Sequence, residues 1–365
     1  MTQLYVHVPY CKKKCDYCNF YSKATAPSDD YVVALLQEAE GYEKQKIDTL
    51  YFGGGTPSLL SLAQFEKLFE GIGKKFDLRG AEISLECNPD TATREKLSFF
   101  KSLGVNRLSI GVQSLNDKTL KEIGRIHDRQ RALKALDIAI SLFDNVNADY
   151  MLGLPYQTAK DVKSDLSEIT DRGVTHLSAY SLILEENSPL YEKVKKNLVL
   201  PDVDRQVDYY VLALALLEEK GLFRYEISNF AKKGYECKHN SAVWKFEDYI
   251  GLGPAAHSFY KGKRYYNLSD LEKYIKGEDV RVESSESLNE YKVEFIMLAL
   301  RTVRGLIYKE YDEYFKEDFK REFSEALSSK TVKETCVIDD SGIRIKDEYF
   351  YVSNAIIEEI VEKYL

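Results

Sequence analysis

Cys11, Cys15 and Cys18 stand in the run Tyr10-Cys-Lys-Lys-Lys-Cys-Asp-Tyr-Cys-Asn-Phe20, a C-x3-C-x2-C spacing. Three thiolates this close in one loop can hold three corners of a cubane iron–sulfur cluster. Electron-transfer clusters are ordinarily held by four cysteines. With three, one iron lacks a protein ligand, and an open metal position is where a small molecule can bind and react. A zinc site is the alternative, but structural zinc usually takes a second, distant pair of ligands. Cys87, Cys237 and Cys336 are scattered singly and form no such pair.

The composition narrows the partners. Basic residues number 51 against 59 acidic, a net charge of −8, with no basic tail or stripe. That argues against nucleic acid. The first nine residues read as a strand and lack the charged and apolar regions of a signal peptide. No run approaches the roughly 18 apolar residues of a membrane span, which leaves peripheral membrane contact open. Six cysteines without paired spacing suit a reducing cytoplasm, where thiolates stay free for iron. The 27 tyrosines and 17 phenylalanines could line a pocket for a flat ligand, or simply fill the core.

Elements must bring these residues together. Strand-like runs lie at Leu4–Pro9, Ile47–Phe52, Ala81–Cys87, Arg107–Val112, Val146–Leu152 and His176–Leu184. Helical periodicity separates them, as at Tyr31–Lys46, Leu62–Lys75 and Val207–Lys220. Six such units in a row predict an α/β fold with a parallel sheet, an incomplete six-unit (β/α) barrel. Chemistry in such barrels sits at the C-terminal ends of the strands. The unusual motifs fall there: the cysteine loop, Gly53-Gly-Gly-Thr-Pro57, Glu86-Cys-Asn-Pro89, Gln113, Asp149 and Tyr180. Beyond residue 222 the pattern is irregular, with Cys237-Lys-His-Asn240, the single Trp244 and the turn Gly251-Leu-Gly-Pro254. A short strand pair about Asp339-Asp-Ser-Gly342 and a final helix over Ser353–Tyr364 predict a small α+β, winged-helix-like C-terminal domain. The expected division is 1–221 for the barrel, 222–287 for an extension and 288–365 for the last domain.

The cysteine loop, the glycine turn and the strand-end carboxylates together resemble the radical S-adenosylmethionine (SAM) superfamily. Leu4-Tyr-Val-His-Val-Pro-Tyr-Cys11, Tyr51-Phe-Gly-Gly-Gly-Thr-Pro-Ser58, Asn106-Arg-Leu-Ser-Ile-Gly-Val-Gln-Ser114, Gly124-Arg-Ile-His127 and Leu152-Gly-Leu-Pro155 resemble its oxygen-independent coproporphyrinogen oxidase-like group. That group contains an oxidase and a heme chaperone. The resemblance implies a [4Fe–4S] cluster on Cys11, Cys15 and Cys18, with SAM on the open iron. It carries SAM contacts onto Tyr5, Tyr17, Gly54, Gly55, Thr56, Glu86, Gln113, Arg125 and Asp149. One-electron cleavage of SAM to a 5′-deoxyadenosyl radical is the chemistry so implied, and Gly53–Gly55 is expected to let the backbone approach the methionyl end.

Three departures from the oxidase point to the chaperone branch. Phe20 stands where the oxidase has a further cysteine, and only ten residues precede Cys11, where the oxidase has an N-terminal arm. Cys237-Lys-His-Asn-Ser-Ala-Val-Trp244 resembles the chaperone motif H-N-x-x-Y-W, with Val243 in place of its Tyr. His239 is thus the candidate heme ligand, His257 a competitor, and His7 is expected to be structural. The expected function is a heme chaperone that delivers heme to an acceptor protein, with an electron donor as a further partner. The alternatives are an oxygen-independent coproporphyrinogen III oxidase, and a radical SAM methyltransferase or heme-degrading relative.

Overall fold

A computed structural model of the chain describes residues 2–186 and 188–364. Six parallel strands form its centre: β1 (Gln3–Val8), β2 (Thr49–Gly54), β3 (Glu82–Cys87), β4 (Arg107–Gln113), β5 (Asn145–Leu152) and β6 (His176–Ser181). Helices return the chain between them, and each begins at a polar cap. Ser28 accepts from Tyr31 N–H at the head of Asp29–Glu40, and Ser61 with Gln64 forms a capping box for Leu62–Lys75. The first of these helices stops at Gly41, short of the expected Lys46.

Side chains alternate strictly across this sheet. Leu4, Val6, Val8, Leu108, Ile110, Val112, Val146, Ala148 and Tyr150 are buried against the helices. The opposite parity, facing the interior, carries Gln3, Tyr5 and His7; Glu82, Ser84 and Glu86; Arg107 and Ser109; Asn147 and Asp149; His176 and Ser178. A polar interior of this kind is sustainable only where its groups bond to one another or to a ligand.

The sheet does not close. β7 (Phe223–Arg224) and β8 (Asn229–Ala231) extend it antiparallel beyond β6. At the other edge β9 (Tyr249–Leu252) pairs parallel with β1, and β10 (His257–Tyr260), β11 (Lys263–Asn267) and β12 (Arg281–Ser284) follow antiparallel. The order is β12-β11-β10-β9-β1-β2-β3-β4-β5-β6-β8-β7. The stretch that reads as irregular in sequence is therefore six short strands on the two barrel edges. Their few residues and long connections give no clear period.

The C-terminal unit is α+β. β13 (Leu306–Ile307), β14 (Cys336–Ile338) and β15 (Gly342–Ile345) form an antiparallel sheet in the order β13-β15-β14, with helices Leu288–Leu300 and Ser353–Val361 against it. Its core also takes Phe246 and Phe259 from the barrel extension. Much of the aromatic excess is spent here: Phe246, Phe259, Phe295, Tyr311, Phe315, Phe319 and Phe323 pack ring on ring. Among the described residues no helix is long and apolar enough to cross a membrane.

Candidate functional site

One cavity of about 480 Å³ opens at the C-terminal ends of the parallel strands. Cys11, Cys15, Tyr17, Cys18, Gly54, Gly55, Thr56, Glu86, Gln113, Arg125 and Asp149 all line it. Residues separated by more than a hundred positions thus meet on one wall. Phe20, mostly exposed, stands at the same cavity.

The cysteine loop leaves β1 and is held by backbone bonds, Cys11 N–H to Lys23 O and Cys18 N–H to Cys15 O. Among the described residues no cysteine is bridged. Thr56 Oγ1 donates to Cys11 Sγ at 3.6 Å, and Arg125 Nη1 donates to Cys15 Sγ at 3.5 Å. Among the described residues no three His, Cys, Asp or Glu side chains converge where a single ion would sit.

Arg125 is fixed from both sides. Its Nη2 donates to Gly111 O at 2.5 Å and to Asn88 Oδ1 at 2.8 Å, while Asn88 Nδ2 donates to Thr56 Oγ1 at 2.8 Å. Burial works against the guanidinium charge, but Tyr17 and Cys15 more than offset it and hold the pKa above its usual value. His127 anchors the same loop through Nε2 to Val112 O at 3.2 Å, and burial lowers its pKa to about 3, so it stays neutral. Asn88 belongs to the site although sequence reasoning gave it no role. Its signal was its place in the strand-end run Glu86–Pro89.

Two carboxylates lie deeper. Tyr51 O–H donates to Glu86 Oε1 at 3.0 Å and Gly54 N–H to Oε2 at 3.2 Å. Burial, reinforced by the Asp149 charge, pushes the Glu86 pKa up to about 7. Asp149 accepts from Asn147 Nδ2 at 2.7 Å and from Ser109 Oγ at 3.1 Å, and burial again raises its pKa. Gln113 ends β4 with φ of 67°, an uncommon conformation for a non-glycine residue, and its Oε1 accepts from Tyr180 O–H at 2.8 Å.

The glycine turn is packed closely against the chain itself. A Cβ on Gly54 would lie 2.6 Å from the His7 ring, and one on Gly55 would lie 2.6 Å from Tyr10 O. Gly54 also has φ of 105°. The protein itself fills the space that the missing side chains leave.

Two of the expected site residues lie elsewhere. Tyr5 sits below the cavity, stacked on Tyr51 with its hydroxyl bonded to His7 Nδ1 at 3.1 Å. His7 Nε2 meets Tyr21 O at 2.9 Å, so both its nitrogens are used structurally. His239 lies at the opposite, amino-terminal end of the barrel. There it is 6% exposed, bonded through Nδ1 to Thr49 Oγ1 at 2.7 Å and tilted against the Tyr51 ring at 5.1 Å. Burial, then repulsion from Arg107, lowers its pKa to about 3. His257 is exposed and stacks on Tyr266, and neither of its ring nitrogens makes a hydrogen bond among the described residues.

Comparison with known proteins matches this architecture to its relatives. A model described as the radical SAM superfamily matches residues 5–169. The heme chaperone HemW of Lactococcus lactis is 32% identical over 98% of this chain and 96% of its own length. That of Bacillus subtilis is 33% identical over 98% of both. The chain belongs to the HemW family. Membership in the radical SAM superfamily implies a [4Fe–4S] cluster and SAM as cofactors, and the cavity supplies three thiols and buried polar groups suited to both. Among solved structures, coproporphyrinogen III oxidase (HemN) of Escherichia coli matches with a TM-score of 0.85 over 100% of this chain and 90% of that one. At 23% identity that likeness speaks for the fold alone.

Proposed function

We propose that this chain binds heme and hands it to an acceptor protein in the cytoplasm, while its rim holds a [4Fe–4S] cluster and SAM. The observation that carries the reading is the end-to-end similarity to heme chaperones HemW at 32% and 33% identity. Phe20 at the cavity mouth supports it, since the oxidase pattern has a cysteine at that position. In this reading Cys11, Cys15 and Cys18 hold three irons. Glu86 and Asp149 face the cationic end of SAM, Gly54, Gly55 and Thr56 form the wall beside it, and Tyr17, Gln113 and Arg125 close the cavity. When bound, the cluster and SAM supply one-electron cleavage chemistry. The chain's own part is to exclude water from the cavity, to keep Arg125 charged beside the thiolates, and to hold a proton on Glu86 until a cation displaces it. Tyr5 supports this shell through Tyr51. An electron donor completes the set of partners.

We assign His239 as the heme-iron ligand because it lies in the Cys237–Trp244 motif. Its Nε2 makes no hydrogen bond among the described residues, and a neutral imidazole is a common heme ligand. A second reading favours His257, on the strength of its exposure. Hemin titration decides both questions. Wild-type protein should give a stable Soret band, His239→Ala should weaken or shift it, and His257→Ala should not. The opposite pattern moves the ligand to His257. Conversion of coproporphyrinogen to protoporphyrinogen by the reconstituted protein with SAM and reductant would replace the chaperone reading with the oxidase.

A further inference from the structure

The helix Lys238–Trp244 stands between two spaces. His239 faces the barrel base, while Ser241, Trp244 and Lys245 line a cleft of about 230 Å³ against Phe295, Thr302 and Arg304 of the C-terminal unit. In this arrangement a macrocycle cannot reach His239, which is enclosed by Thr49, Tyr51 and Tyr5.

The imidazole is nevertheless prepared as a ligand. Gln3 Nε2 donates to Glu247 Oε2 at 3.1 Å, which turns Gln3 Oε1 toward the Thr49 hydroxyl at 2.8 Å. That hydroxyl has one proton, and Gln3 takes it. Thr49 Oγ1 therefore accepts from His239 Nδ1–H. The resulting tautomer carries its lone pair on Nε2, the arrangement by which metal-bound histidines are oriented.

We propose that the helix Lys238–Trp244 is a latch over a cryptic heme site, which forms when the helix leaves the barrel base and presents His239 beside the Trp244 cleft. The proposal rests on the reading of His239 as iron ligand. Polar bonds hold the start of the helix. Cys237, at the helix start, gives no side-chain cap. The Glu82 carboxylate of β3 replaces it, accepting from Lys238 N–H at 3.0 Å, His239 N–H at 3.3 Å and the Cys237 thiol at 3.7 Å. Apolar contact adds to them: Cys237 and Ala242 are buried, and Trp244 packs against the C-terminal core. These bonds exist only in the closed state, and in the open state water satisfies the same donors. Loss of one therefore shifts the population toward opening, and apparent affinity rises with the competent fraction.

Thr49→Val tests this, being nearly isosteric and leaving all charges in place. Hydrogen exchange across residues 237–245 of the apo protein should quicken about tenfold, and hemin should bind about tenfold tighter at an unchanged Soret position, the factor expected when a buried donor is left unpaired. Glu82→Gln, which exchanges a charged acceptor for a neutral one, should act in the same direction and serves if Thr49→Val misfolds. Unchanged exchange in both variants, or faster exchange with equal or weaker hemin binding, overturns the latch. His239→Ala separates the two levels. If its Soret band matches the wild type, the ligand reading fails and takes the latch with it. If the band is lost while the latch variants bind hemin no better, the ligand stands and the latch alone falls.

Discussion

Glu86 gives the sharpest handle on the cavity. Its pKa is raised from 4.5 to about 7, first by burial and then by the charge of Asp149. A carboxyl shifted upward binds its proton better folded than unfolded. Its contribution to stability is therefore fully present below pH 4.5 and is lost as pH rises through 7. A cation bound beside it reverses the preference, because it favours the ionised form. If SAM binds the ionised form, the binding-competent fraction is about a tenth at pH 6 and about nine-tenths at pH 8. Affinity for SAM should rise about tenfold between them, with proton release on binding. Glu86→Gln should flatten that rise. The variant should fold, because the amide can turn its oxygen to Gly54 N–H and its nitrogen to the Tyr51 oxygen, keeping both contacts. Calorimetry on cluster-loaded protein at pH 6, 7 and 8, in buffers of different ionisation enthalpy, measures affinity and proton release together. A wild-type affinity flat across that range, or an equal slope in Glu86→Gln, would refute the assignment of Glu86 to the cationic end of the ligand.

The cluster is tested by replacing Cys11, Cys15 and Cys18 together with Ala: anaerobic reconstitution should then leave no bound iron or sulfide, and a retained full cluster would remove the assignment. Gly54→Val should destabilise the fold as well as the site. The positive φ alone costs roughly 1–3 kcal/mol in a side-chain-bearing residue, and the His7 ring stands in the way of the new Cβ. The melting temperature should fall by several degrees, and an unchanged one would show that β1 and β2 can shift apart.

Much of the site was legible because strand ends are legible. Glu86 and Gln113 stand at the ends of their strands and Asp149 faces inward three residues before the end of β5, and the structure places all three on one cavity wall. The cysteine spacing needed no fold at all. What the sequence could not supply was depth. Tyr5 and Tyr51 share the parity of the interior and pair across β1 and β2, yet both lie below the cavity, two residues short of the rim glycines. Parity follows from a period of two, whereas depth depends on register against neighbours that are distant in sequence.

The same limit explains the glycines and His239. A Gly-Gly-Gly run announces close approach without saying to what, and here His7 and Tyr10 of the chain itself make the approach. The Cys237–Trp244 motif announces a histidine without saying which way it faces. Its helix returns from the far edge of the sheet, after β8, and plugs the barrel base through Glu82 and Thr49. Interior polar groups need partners, and the parallel strands leave Glu82 and Thr49 facing inward at their amino-terminal ends. A segment rich in donors is what such a base requires. One helix thereby completes the polar interior, and the histidine it brings is fixed at Nδ1 by Thr49 and unbonded at Nε2 among the described residues.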